Sequence, residues 1–151
     1  MTSSAQRFAK NLRAERLALD WSQLKLAQAI GVDVTTVSRI ERNKAGVTVE
    51  RAAELAAALD INLANLLGEG ESQTIADGMT DPRAISSARS IARFKARREE
   101  LGLSQTAVAA RGGLGRDYIS RLENETSDTK LYLTTLEKLA SGLGVPIGEL
   151  L

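Results

Sequence analysis

The chain has 151 residues, of which 43% are apolar and only 3% aromatic, and a formal net charge of +1. It contains no cysteine and no histidine, which excludes thiol nucleophiles, imidazole acid–base catalysis, Ser-His-Asp triads and the usual zinc ligand sets. Cores must therefore be built from Leu, Ile, Val and Ala, a composition that favours small helical bundles over sheets.

Phe8, Leu12, Arg16 and Leu19 fall at helical spacing and predict a first helix from about Ala5 to Leu19. Ser22 is a candidate N-cap for a second helix carrying Leu24, Ala27 and Ile30, with Gly31 at its end. Asp33 is the next candidate N-cap. It opens a third helix with Val37 and Ile40 inward and Thr35, Thr36, Ser38, Arg39 and Arg42 outward. A turn of a few residues after a glycine lets two short helices cross steeply, as in a helix-turn-helix. Past the loop Asn43-Lys44-Ala45-Gly46, Val49, Ala52, Ala53, Ala56 and Leu59 predict a fourth helix, and Ile61 to Leu67 a short fifth.

The same plan then returns. Trp21-Ser22-Gln23 matches Leu103-Ser104-Gln105 at an offset of 82 positions, as Val37-Ser38-Arg39-Ile40-Glu41 matches Ile119-Ser120-Arg121-Leu122-Glu123. After the second Glu the offset becomes 84, and Leu55, Leu59, Ile61 and Leu67 meet Leu139, Leu143, Val145 and Leu151. This period is too long for a solenoid repeat and fits two copies of a whole small domain. The expected division is a first domain over 1–67, a linker over 68–80 and a second domain over 81–151. Asp81-Pro82 is a helix-start signal, and the pattern after it can run unbroken to about Leu101, giving a long basic opening helix from Arg83 to Arg98.

Charge follows the same partition. Residues 1–67 hold nine Lys/Arg and seven Asp/Glu, residues 68–80 three acids and no base, and residues 81–151 eleven bases against nine acids. Two mildly basic lobes thus flank an acidic strap rich in Gly and Ser. As a flexible coil the strap would span roughly 20 Å, with a stretched limit of about 43 Å. No apolar run reaches the 18 residues or so of a membrane span, and Met1 to Lys10 lacks a signal-peptide core. A cytoplasmic location without a membrane partner is the expectation.

The stretch Trp21-Ser-Gln-Leu-Lys-Leu-Ala-Gln-Ala-Ile-Gly31 with Val37-Ser-Arg-Ile-Glu41, and again Leu103-Ser-Gln-Thr-Ala-Val-Ala-Ala-Arg-Gly-Gly113 with Tyr118-Ile-Ser-Arg-Leu-Glu-Asn124, resembles the lambda repressor-like, or Xre-type, helix-turn-helix regulators. The resemblance covers nearly all of both repeats and implies an all-α fold of two tandem five-helix DNA-binding domains. It further implies that the third helix of each repeat enters a DNA major groove, while the second crosses the backbone with its leading glutamine, Gln23 or Gln105, on a phosphate. Base edges would be met by Val34, Thr35 and Arg39 in one repeat and by Arg116, Asp117 and Arg121 in the other, with Ser38 and Ser120 on the same exposed faces. Arg42 and Lys44 suit the backbone contacts that the family adds after this helix. Arg16 and Glu41, repeated as Arg98 and Glu123, correspond to an ion pair that braces the first helix against the third. Trp21 aligns with Leu103 and belongs to the core.

Side-chain chemistry supports these roles. Arg39 and Arg121 can each offer two donors to guanine O6 and N7, and Thr35 a methyl to thymine or a hydroxyl to a base or phosphate. Asp117 is the exception, since a carboxylate beside phosphates is repelled unless it accepts from cytosine N4. Val34 and Arg116 differ in kind, so the two heads should read non-identical half-sites. Plainer readings stay open. The glutamines could cap helix starts, and the arginines could be solvated surface charges.

The partner expected is double-stranded DNA, met either by one chain as an intramolecular pseudo-dimer or by a homodimer; half-sites in this class lie about 34 Å apart, within the strap's limit. With the chain ending at Leu151 where repeat two closes, a signal is expected through a protein partner, oligomerisation or expression level. The alternative function is a protein-interaction module, an antitoxin or anti-activator, in which repeat two binds a partner protein. Asp117, the glycines Gly112, Gly113 and Gly115, and the basic opening helix motivate it. No residue pattern calls for a cofactor, a metal or catalysis by a carboxylate pair.

Overall fold

Every helix must satisfy the backbone groups left unpaired at its ends, and the serines and threonines of this chain do so at regular places. The computed structural model describes residues 3–68, 85–124 and 129–151. The first half contains α1 (Ser4–Ala18), α2 (Gln23–Ile30), α3 (Val34–Glu41), α4 (Val49–Ala58) and α5 (Leu63–Leu66). The second contains α6 (Ser87–Glu100), α7 (Gln105–Gly112), α8 (Arg116–Asn124), α9 (Leu133–Leu143) and a closing 3-10 helix (Ile147–Leu150). The fold is all-α, as expected, and among the described residues each half has five helical elements in the same order.

Ser3, Ser22 and Thr48 cap α1, α2 and α4, their hydroxyls accepting from Gln6, Lys25 and Arg51 amides. Ser86 and Ser104 do the same for α6 and α7. Gly31 and Gly113, in equivalent turns, take left-handed φ values of 73° and 71°, which a side chain would strain. That turn redirects the chain from α2 into α3 and from α7 into α8.

Three sequence expectations change. Leu26, not Leu24, joins Ala27 in the core, and Leu24 is exposed. Asp33 stands at the N-cap of α3, but its side chain makes no capping bond. The opening helix of the second half begins only at Ser87, because Ile85 and Ser86 are not helical. Asp81-Pro82 and all of the strap but Gly68 lie outside the described residues. No helix among the described residues is long and apolar enough to cross a membrane.

The two halves are packed together. One continuous buried cluster includes Phe8, Leu12, Leu55 and Leu67 from the first half and Phe94, Leu136, Leu139 and Leu150 from the second. At the seam, Thr48 and Tyr132 form an isolated antiparallel bridge. The Val49 amide donates to the Leu131 carbonyl and the Leu133 amide to the Val47 carbonyl, both at 2.9 Å. Each of these bonds maps onto the other under the 84-residue offset, so the bridge lies on a pseudo-two-fold axis. The first helices are held across the seam as well. Glu50 of α4 accepts from the Ser87 amide and hydroxyl at 2.7 Å, and Glu137 of α9 accepts from the Ser4 amide at 3.1 Å. The start of each half thus receives a carboxylate from the fourth helix of the other, where the helix dipole favours negative charge.

Candidate nucleic-acid interface

The short helices α3 and α8 each bury one stripe and expose the other. Val37 and Ile40, and Ile119, Leu122 and Glu123, face inward. Val34, Thr35, Arg39 and Arg42 are exposed on α3 and just beyond it, with Ser38 half-buried. On α8, Arg116, Asp117 and Arg121 are exposed and Ser120 is half-buried. Spacings of one, four and five residues put each set on one helical face. Asn124 closes α8, its amide 3.5 Å from the Ser120 hydroxyl.

Behind each surface sits the expected brace. Arg16 of α1 grips Glu41 bidentately, Nε to Oε2 at 2.6 Å and Nη2 to Oε1 at 2.9 Å, while its Nη1 donates to the Trp21 carbonyl. Arg98 repeats this on Glu123 and the Leu103 carbonyl. Both carboxylates are only 2% exposed. Hydrogen bonding to Glu41 and to Glu123 raises the respective guanidinium above its ordinary value, against the opposing effect of burial. Burial pushes the Glu123 carboxyl up, but bonds from Arg98 and Gln105, with the charges of Arg98 and Lys95, hold it below the usual range.

The glutamines have a partner that sequence reading did not anticipate. Gln23 and Gln105 donate to Glu41 and Glu123 at 3.1 and 3.2 Å. Each side-chain amide has a second N–H and a carbonyl oxygen, so the ion pair fixes the orientation of a group at the start of α2 or α7 that can still donate outward. In each half one buried carboxylate therefore sets the first helix, the third helix and the glutamine in register. Trp21 is half-buried against the core, with the Lys25 ammonium 4.8 Å from its ring centroid, a cation–π contact.

Of the second half's glycines Gly112, Gly113 and Gly115, two have structural reasons. A Cβ on Gly112 would lie 2.5 Å from the Lys138 carbonyl oxygen, and one on Gly142 would lie 2.7 Å from that of Val108. The helices α7 and α9 touch backbone to backbone where the first half has Ile30 and Ala58. Gly113 is the left-handed cap of α7. Gly115 meets nothing within 4 Å, and its presence has no packing explanation.

A groove of about 450 Å³ beside α3 was not legible in the sequence. Lys10 and Arg13 of α1, with Gln6 and Ala9, form one wall; Glu41, Arg42, Asn43 and Lys44 form the other. The available signal was the i, i+3 pair Lys10 and Arg13 on the face of α1 opposite Phe8 and Leu12.

The helix-turn-helix family model matches residues 12–66 and again residues 94–150. The chain belongs to that family, as a tandem Xre-like member, and is a DNA-binding transcription regulator. Among curated proteins, control protein C.MunI of a Mycoplasma species is 41% identical over 56 residues, which covers 37% of this chain and 73% of that protein. The matched stretch is about as long as one repeat and covers most of that control protein.

Proposed function

We propose that the protein is a sequence-specific, repressor-like regulator in which one chain places α3 and α8 in successive major grooves on one face of a duplex. The observation that carries this is the pairing of the seam residues with their own counterparts across the Thr48–Tyr132 bridge. A two-fold relation between halves turns the recognition helices head to head, so the half-sites form an inverted rather than a direct repeat. The intramolecular pairing replaces a homodimer interface.

Gln23, Gln105, Arg42 and Lys44 hold backbone phosphates; Val34, Thr35, Ser38 and Arg39, and Arg116, Asp117, Ser120 and Arg121, meet base edges. Asp117 lies in the first turn of α8, where the helix dipole compensates its charge, and cytosine N4 is the base-edge donor it suits. The partner-binding alternative for repeat two loses two of its three glycines to the structural reasons above, and keeps its basic opening helix.

Selection from random duplexes tests the proposal. The expected product is two unlike half-sites in inverted orientation about one helical turn apart, bound by one chain per duplex. Absence of any duplex bound more tightly than random DNA at about 0.15 M salt would overturn it. Recovery of a direct repeat, or of two chains per site, would overturn the intramolecular pairing. Unchanged affinity after Arg116→Ala with Arg121→Ala would remove repeat two from the interface.

A further inference from the structure

We propose that the groove between α1 and the loop after α3 is a clamp for a DNA backbone phosphate, present in the first repeat and absent from the second. This rests on the DNA-binding reading above and extends it to residues of α1. Four cations line the groove, Lys10 and Arg13 from α1 and Arg42 and Lys44 from the loop, against one carboxylate, Glu41. That carboxylate is already neutralised by Arg16 at 2.6 Å. Among the described residues, Lys10, Arg13 and Lys44 have no acid within ion-pair distance, and all three are exposed. Three unpaired cations around a polar recess repel one another, a cost relieved by an anion.

The position matches a passing nucleic-acid strand. Glu41 and Arg42 end the recognition helix, and Glu41 also holds Gln23 at the start of α2. The groove therefore continues the reading face outward, where the strand flanking the major groove runs.

The second repeat keeps the scaffold and drops the charge. Ala92 and Asn124 stand where the first repeat has Lys10 and Arg42, and Lys95, at the position of Arg13, acts on the Glu123 carboxylate. In sequence, Glu125-Thr126-Ser127-Asp128-Thr129-Lys130 replaces Asn43-Lys44-Ala45-Gly46, with two acids beside its one base. The first repeat anchors the complex through phosphate, and the second contributes mainly base recognition.

The test is the salt dependence of duplex binding by the full chain, using the selected site, for wild type, Lys10→Ala with Arg13→Ala, and the exposed control Lys138→Ala, which does not line the groove. Each phosphate that is no longer neutralised lowers the slope of log K against log salt by about 0.9, so the double variant, which gives up the one clamped phosphate, should fall by about 0.9 and the control not at all. Its preference for the selected site over random DNA should stay within twofold of wild type. A slope change below about 0.5, an equal change in the control, or a weakened preference without a slope change overturns the clamp. Failure of the wild type itself to prefer any duplex would instead sink the DNA-binding reading.

Discussion

Replacing Arg16 by Ala tests how α3 is held against α1. The guanidinium makes three bonds, two to Glu41 and one to the Trp21 carbonyl. Its side chain is 7% exposed and that of Glu41 is 2% exposed. Removing it leaves a carboxylate with the Gln23 amide at 3.1 Å as its remaining side-chain donor. Breaking one partner of such a buried pair costs about 3–5 kcal/mol, a large share of the stability of any small protein. With a urea m-value of about 2 kcal/mol/M, the midpoint should fall by about 2 M.

Trp21 is the chain's single tryptophan, adjacent to the broken bond, so its fluorescence follows the first half while circular dichroism at 222 nm follows both. The shared core and seam make the two signals coincide in wild type, the mark of a cooperative unit. The reasoning also fixes a second variant. Arg16→Met with Glu41→Leu removes both charges and should cost clearly less than Arg16→Ala alone, since no stranded ion remains. A midpoint shift below about 0.5 M for Arg16→Ala, or a double variant worse than the single one, would refute the picture of a desolvated carboxylate held by one guanidinium.

Other consequences are as direct. Burial pushes Glu50 up, but the two Ser87 bonds and the Lys130 charge hold it below its ordinary value. Its folded pKa is thus depressed, so its contribution is complete above the unfolded carboxyl range, about 4.3, and is lost as pH falls through the folded value. The difference in urea midpoint between wild type and Glu50→Gln should therefore be constant from pH 7 to 5 and shrink below that; a difference unchanged down to pH 3 contradicts it. Asp60 sits at φ 57° just beyond the C-cap of α4, where its counterpart is Gly144. Asp60→Gly should raise stability by up to about 1 kcal/mol, relieving a left-handed backbone and a carboxylate at the negative end of a helix, and a lower urea midpoint would count against it. On the proposed reading, Arg39→Ala and Arg121→Ala each weaken the selected duplex by about 1–3 kcal/mol. Each should relax preference in one half-site alone, read by competition with single-base variants; equal weakening on random DNA would assign both residues to phosphate.

Features carried by local spacing were legible in the sequence. Ser22 and Ser104, and Gly31 and Gly113, recur at fixed positions because capping and left-handed turns each demand one residue type at one place, while the Arg16–Glu41 and Arg98–Glu123 pairs were legible through the family resemblance. The choice between Leu24 and Leu26 was not legible. Both fit an apolar stripe on an eight-residue helix, and the crossing of α2 over its neighbours decides which is covered. The seam was also hidden, since Val47-Thr48-Val49 and Leu131-Tyr132-Leu133 read as ordinary helix approaches until the antiparallel pairing brings them together. For the groove the reason is distance in sequence, with Lys10 and Lys44 meeting only when α1 lies along the end of α3.

On the proposed function, duplication within one chain changes what the interface can specify. In a homodimer the two heads are identical, so every base-reading substitution is imposed on both half-sites. Here the scaffold is kept twice, down to the carbonyl bonds of Arg16 and Arg98, while Val34-Thr35 and Arg116-Asp117 have diverged freely. Unlike heads on a two-fold frame give the complex a direction. Exchanging the two half-sites preserves geometry and rotates the bound chain by half a turn; mutating one half-site into a copy of the other removes matched base recognition from one head only, at about 1–3 kcal/mol per mismatched base pair. A footprint of the chain on the exchanged operator should therefore show the protection pattern reversed with affinity unchanged, whereas a symmetrised operator should bind more weakly in either form. Equal affinity for both symmetrised operators and the natural order would mean that the two recognition helices read the same bases, and that the divergence between Val34-Thr35 and Arg116-Asp117 carries no sequence information.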